Sequence, residues 1–160
     1  MARVIDRKEG VGRMGSSKES TEGLTLLGQG ATKPQTYLEA FPNRYPGHPY
    51  LVVLHTNEFT AVCPVTGQPD FASITIKYIP DEKVVESKSL KLYLWSFRDR
   101  GIFHEHVVNE ILDELWRVCE PRWAQVIGRF NVRGGISITV TTEKGDHELA
   151  RRLLETSGQS

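Results

Sequence analysis

The sequence predicts an α+β domain in the order ββααββ, an antiparallel sheet carrying two helices on one face. Three observations carry this. Apolar and polar residues alternate on both sides of the centre, two consecutive segments between them keep helical spacing, and Pro or Gly marks the junctions.

The segment from Tyr50 to Val62 is β-branched and aromatic, as strands are. Ala72, Ile74, Ile76 and Tyr78 then alternate with Ser73, Thr75 and Lys77, the period of a half-buried strand. Pro64, Gly67 and Pro69 punctuate the join, so strand, loop and strand follow one another. Leu90, Tyr93, Leu94 and Phe97 fall at i, i+3, i+4 and i+7, predicting a helix with Ser87 as N-cap and Gly101 as stop. A second helix is predicted from His104 to Cys119, with Val108, Ile111, Leu112, Leu115 and Trp116 on one face and Pro121 ending it. Val126, Gly128, Phe130 and Val132 next oppose Gln125, Arg129 and Asn131. After an Arg133-Gly134-Gly135 turn, Ile136, Ile138 and Val140 alternate with Ser137, Thr139 and Thr141.

The flanks differ in composition. Residues 1–35 are rich in Gly, Ser, Thr, Lys and Glu and are expected to form a flexible or partner-draped arm. Residues 36–142 are expected to form the catalytic domain. Residues 143–160 read as a polar tail in which Leu149, Leu153 and Leu154 allow a short helix. Four strands with helices on one face leave two open edges, which must be paired or covered, so a homo-oligomer is expected.

The chain has 160 residues and a formal net charge of zero. That length suffices for one domain with a sizeable core, and too little remains for separate cofactor and substrate domains. Zero net charge offers no basic excess to a nucleic acid or a membrane surface, and neither is expected as a partner. No apolar run approaches the roughly 20 residues that span a bilayer, and the first residues lack the apolar centre of a signal peptide. With two cysteines, Cys63 and Cys119, reduced thiols and a cytoplasmic location are expected.

Cys63 sits where a strand runs into a Pro/Gly loop, a place that can expose sulfur at a pocket edge, although a lone cysteine more often serves as a small core residue. Asp70, seven residues on, reads either as an acid beside that thiol or as a turn residue after Pro69. His104-Glu105 opens the second helix, where a glutamate also complements the helix dipole. Phe103 beside them suits a planar ligand or the core. Glu86-Ser87-Lys88-Ser89-Leu90-Lys91 opens the first helix, where amides and lysines can meet phosphate oxygens or simply face solvent.

Other signals are discounted. Gly28-Gln29-Gly30 has neither a strand before it nor a helix after it, so it is no dinucleotide fingerprint. His104 and His106, two apart on a helix, point to different sides, and His48, His55 and His147 lack ligand spacing. Cys119 ends an apolar helical face and reads as packing. Arg133 belongs first to a hairpin turn, with a phosphate contact as its alternative.

These motifs resemble the NADPH-dependent 7-cyano-7-deazaguanine reductases, the nitrile reductases of queuosine biosynthesis, in their short single-module form. The likeness runs from about Thr21 to Ile138, through Glu22-Gly23-Leu24-Thr25-Leu26-Leu27-Gly28, Cys63-Pro64-Val65-Thr66-Gly67-Gln68-Pro69-Asp70-Phe71-Ala72 and Arg133-Gly134-Gly135-Ile136-Ser137. Its most specific part is Glu86-Ser87-Lys88-Ser89-Leu90-Lys91, which related pterin-pathway enzymes of the same fold lack.

The resemblance implies the tunnelling fold, with subunits closing their sheets into a shared barrel as two stacked pentamers and active sites between neighbours. It implies Cys63 as nucleophile and Asp70 as proton donor, with Asp70 buried against Phe71 or set near the thiolate. Val85, Glu86, Ser87, His104 and Glu105 would hold the deazapurine, and Ser87, Lys88, Ser89 and Lys91 the NADPH, two molecules per turnover with no catalytic metal. Two rivals stand beside it. One is a zinc-dependent cyclohydrolase of the same fold using Cys63 as a ligand; the other is a non-catalytic oligomer that binds a purine or pterin.

Overall fold

The computed structural model describes residues 21–26 and 33–158. The rest of the expected arm, residues 1–20 and 27–32, lies outside the described residues. In the part that is described, Leu26 is buried, the Thr25 and Leu26 amides donate to the Glu39 carboxylate, and Lys88 Nζ donates to the Leu26 carbonyl oxygen at 2.8 Å.

Among the described residues nine elements follow: β1 (Ala40–Pro42), β2 (Val52–Val62), β3 (Pro69–Ile79), β4 (Lys83–Val85), α1 (Ser87–Trp95), α2 (His104–Cys119), β5 (Trp123–Arg133), β6 (Ile136–Gly145) and α3 (His147–Ser157). The four long strands form one antiparallel sheet in the order β2-β3-β5-β6 around the helical pair, as the alternation predicts. Sequence reading missed β1 and β4, which pair with each other in a separate antiparallel ribbon; three residues are too few to show a period.

Ala72, Ile74, Ile76 and Tyr78 of β3 and Ala124, Val126 and Phe130 of β5 share the face that packs on α1 and α2. From α2 come Val108, Ile111, Leu112 and Leu115, all buried, at the spacing that puts them on one helical stripe. Ile111 is fully enclosed. Ile111→Ala removes apolar atoms where neighbours collapse only partly, so it is expected to cost about 2–5 kcal/mol. A thermal melt reads this as a lowered midpoint; an unchanged midpoint would mean that α2 does not close the core.

The helix ends depart from expectation in one place. Glu86, rather than Ser87, is the N-cap of α1: its carboxylate accepts from the Lys88 amide at 2.8 Å and the Ser89 amide at 2.7 Å. The longer glutamate side chain reaches both orphan amides that a serine hydroxyl would meet singly. The helix also stops at Trp95, ahead of Gly101, and the chain turns through residues 96–99. By contrast α2 spans His104 to Cys119 as predicted, ended by Glu120 in the left-handed region before Pro121.

The C-terminal segment folds. Asp146 caps α3 by accepting from the Leu149 amide at 3.0 Å, and Ala150 is buried. Ile79 and Trp123 pair in register and alternate with Tyr78 and Ala124, so they belong to the opposite sheet face. Together with Ala150, Leu149, Leu153 and Leu154 of α3 they form a second, small core there. Among the described residues, no helix is long and apolar enough to cross a membrane.

Candidate active site

The site is assembled where β2 ends. The Val62 amide donates to the Arg100 carbonyl oxygen at 3.2 Å, and the Ile102 amide donates to the Val62 carbonyl oxygen at 3.1 Å, so residues 100–102 run parallel beside the strand. A Cβ at Gly101 would stand 3.1 Å from Pro64 Cα, and glycine permits this close approach. The strip delivers Phe103, His104 and Glu105, the start of α2, to the side of Cys63. The loop after Cys63 is closed on itself by Gly67 N–H to Cys63 O at 2.9 Å and Cys63 N–H to Gln68 O at 2.8 Å.

Asp70 pairs with Ala61 in the ladder and shares the helix-facing side of β3 with Ala72 and Ile74. It is only 7% exposed. The expected burial against Phe71 does not occur: Phe71, the next residue, points to the other face and stands half-exposed. Two cationic or polar partners hold Asp70 instead. Arg133 Nη1 binds Oδ1, and His104 Nε2 lies 3.2 Å from Oδ2. The His104 ring is itself fixed by stacking on Phe130, with centroids 4.0 Å apart and planes at 22°.

Arg133 reaches Asp70 because of a sheet irregularity. Strict alternation from Phe130 would send Arg133 to the opposite face, but the β5-β6 register shifts between Phe130 and Arg133, and such a bulge re-aims a side chain. A two-residue turn then closes the hairpin, with Gly134 at φ 60° and Gly135 at φ 79°, the positive values a tight hairpin turn requires.

The Cys63 sulfur faces a set of donors. The Thr66 hydroxyl, followed by the Thr66 and Val65 backbone N–H groups and more weakly by Arg133, holds the thiol down at about 7. Cys119 has the opposite setting: burial pushes its thiol up to about 12. Cys63 is therefore the more readily ionised thiol of the two. Cys63, Asp70, His104, Glu105, Arg133 and Ile138 line one cavity of about 300 Å³, a volume that suits a bicyclic heterocycle. Glu105 stands exposed at its wall, in the first turn of α2.

Val85, Glu86 and Ser87 line no part of this cavity within one chain. The Val85 amide donates to the Tyr78 hydroxyl at 3.2 Å and the Glu86 carboxylate is engaged at the α1 amides. Ser87 and Lys91, with Leu54, Leu90, Leu94 and Arg98, instead line a larger groove of about 520 Å³ between β2 and α1. Ser89 does not face that groove: it is fully buried, its hydroxyl donating to Glu86 O at 2.7 Å and accepting from the Glu39 amide at 2.9 Å. Among the described residues no group of three or more His, Cys, Asp and Glu is arranged to hold a metal ion.

Sequence reading thus brought Cys63, Asp70, His104 and Glu105 to one place and missed two members. Thr66 lies inside the Cys63–Asp70 motif, where a threonine in a Pro/Gly loop reads as a turn residue. Arg133 was read as a turn residue, because a bulge leaves no mark in a single sequence.

The QueF-like protein family model matches residues 69–149. The chain is 59% identical over 125 residues to the NADPH-dependent 7-cyano-7-deazaguanine reductase of Syntrophus aciditrophicus, an alignment covering 78% of this chain and 89% of that protein. It is 57% identical over 110 residues to the protein of the same name from Thermomicrobium roseum, covering 69% and 86%. Among solved structures, the archaeosine synthase QueF-Like in its apo form aligns with a TM-score of 0.58 at 27% identity, over 62% of this chain and 97% of the other. The chain that carries the Cys63 cavity therefore belongs to the NADPH-dependent 7-cyano-7-deazaguanine reductase family.

Proposed function

We propose that this protein reduces the nitrile of 7-cyano-7-deazaguanine to the aminomethyl group of 7-aminomethyl-7-deazaguanine, with Cys63 forming a covalent thioimidate. The observation that carries the mechanism is one sulfur, ringed by hydrogen-bond donors, in the same cavity as a buried Asp70–His104 pair.

The Cys63 thiolate adds to the nitrile carbon. A sulfur–carbon bond forms, one π bond of the nitrile breaks, and its electron pair goes to nitrogen, which takes up a proton. That proton comes from the Asp70–His104 pair. With Asp70 Oδ1 occupied by Arg133, it is the Oδ2 to Nε2 contact that holds the proton, so Asp70 and His104 act as one unit. NADPH supplies the hydride for both reductions. Between them sulfur leaves as thiolate and frees an imine, so Cys63 ends the cycle as it began. Glu105, on the cavity wall, is placed to accept from the N–H edge of the deazaguanine.

The cofactor reading rests on the groove beside α1. Its apolar floor and its Ser87, Lys91 and Arg98 suit a ligand with flat rings and phosphates, and Lys88 stands on the same helix. Ser89 contributes by holding the helix start in shape. Because Val85, Glu86 and Ser87 do not reach the Cys63 cavity of their own chain, we place them at the cavity of a neighbouring subunit. Open edges at β2 and β6 offer the pairing that would bring subunits together in a barrel, as two pentamers in a tunnelling-fold decamer. A free low-pKa thiol as nucleophile also fits a reducing cytoplasm.

The stoichiometry tests the reaction class. Two NADPH are expected to be oxidised per nitrile consumed, followed by absorbance against product. Deazapurine binding with no NADPH consumed would instead support a binding module, and one tightly held zinc per subunit on Cys63 would support a cyclohydrolase.

A further inference from the structure

The Cys63 thiol, at the start of a loop, and the Asp70 carboxyl, on a strand, line one cavity of about 300 Å³ and must keep a fixed relation to act on one nitrile. Something must hold them together. The Arg133 guanidinium binds Asp70 Oδ1 through Nη1 and reaches the Thr66 hydroxyl at 3.4 Å through Nη2, and it adds to the groups that hold the Cys63 thiol down. Thr66 is in turn the largest cause of the lowered Cys63 thiol.

We propose that Arg133 is a positioning residue shared by nucleophile and acid, a single planar fork that fixes the Cys63–Thr66 loop against the Asp70–His104 pair. The inference deepens the mechanism above and rests on Cys63 being its nucleophile. Geometry singles out arginine for the task. The guanidinium presents several donors in a rigid plane, so two nitrogens serve two partners at once, whereas a lysine ammonium concentrates its charge at one point. The backbone prepares this: the β5-β6 register shift turns the side chain inward, and the Gly134-Gly135 turn fixes where β5 ends. When the sulfur–carbon bond forms, the negative charge on sulfur disappears while Arg133 keeps Asp70 Oδ1. Asp70 Oδ2 and His104 therefore stay aimed into the cavity when the nitrogen needs its proton.

The test follows Cys63 alkylation by iodoacetamide against pH, in the assembled enzyme without nitrile, by peptide mass. The wild-type rate should rise with pH to half its plateau near 7. Arg133→Gln should displace that rise upward and slow alkylation at pH 7 by about twofold, the change that a half-unit displacement makes in the thiolate fraction at the midpoint. Thr66→Val should displace it in the same direction with the Asp70 clamp in place, which keeps the test open if Arg133→Gln fails to fold. Arg133→Lys should lower kcat and leave the KM for NADPH unchanged. An unmoved alkylation profile in both Arg133→Gln and Thr66→Val, or an Arg133→Lys defect confined to the KM for NADPH, would overturn the proposal. Alkylation needs no nitrile, so failure here is separable from failure of thioimidate formation.

Discussion

Cys63→Ala is expected to lower turnover by roughly 10⁴-fold or more, because it removes the atom that makes the covalent bond in the proposed mechanism while leaving the backbone bonds of its loop in place. The side chain supports no packing that alanine cannot replace: Cys63 is partly exposed, and the loop is held by its backbone bonds to Gly67 and Gln68. Assembly and melting temperature should therefore be nearly unchanged. Steady-state NADPH oxidation measures the loss, and a near-normal rate would rule out covalent catalysis by this residue. Cys119 cannot substitute, since it is enclosed in the core and its thiol is pushed up to about 12.

The second large effect belongs to Asp70. Asp70→Asn preserves the shape, and the amide oxygen can still accept from Arg133, but the atom facing His104 becomes an NH2 group that holds no transferable proton. Loss of a positioned proton donor is worth roughly 10²–10⁴-fold. The rate of thioimidate formation at saturating nitrile should fall by that order, with nitrile binding largely kept through Glu105. A wild-type rate of adduct formation would show that the proton reaches nitrogen without Asp70.

The two effects also differ in how they should depend on pH. In the proposed mechanism Cys63 reacts as thiolate, and its donors place the thiol near 7, so the addition step should gain rate as pH rises through that value. In Thr66→Val the gain should shift to higher pH.

Much of this architecture was legible in the residues. Period-2 alternation marked β3, β5 and β6, because β3 and β5 bury one face and β6 half-buries alternate residues, and the helical stripe of α2 was readable to its ends. What escaped was set by geometry between distant segments. Glu86 caps α1 only because its carboxylate curls back to two amides, a choice that competes with Ser87 on equal sequence terms. Arg133 enters the site only because a bulge reverses the alternation that predicted the rest of its strand. Of the two surroundings expected for Asp70, burial against Phe71 does not occur, since neighbours in sequence point away on a strand, and its partners come from α2 and the end of β5 in the cavity that Cys63 also lines. The split between the Cys63 cavity and the Glu86–Lys91 segment has the same origin, since a sequence does not say which side of a subunit a motif faces.

Mass spectrometry of the intact protein mixed with 7-cyano-7-deazaguanine, with NADPH withheld, tests the central claim most directly. The account predicts a gain equal to the full mass of the nitrile, located on the Cys63 peptide and absent from Cys63→Ala. A wild-type protein that binds the nitrile yet keeps its unmodified mass would contradict it.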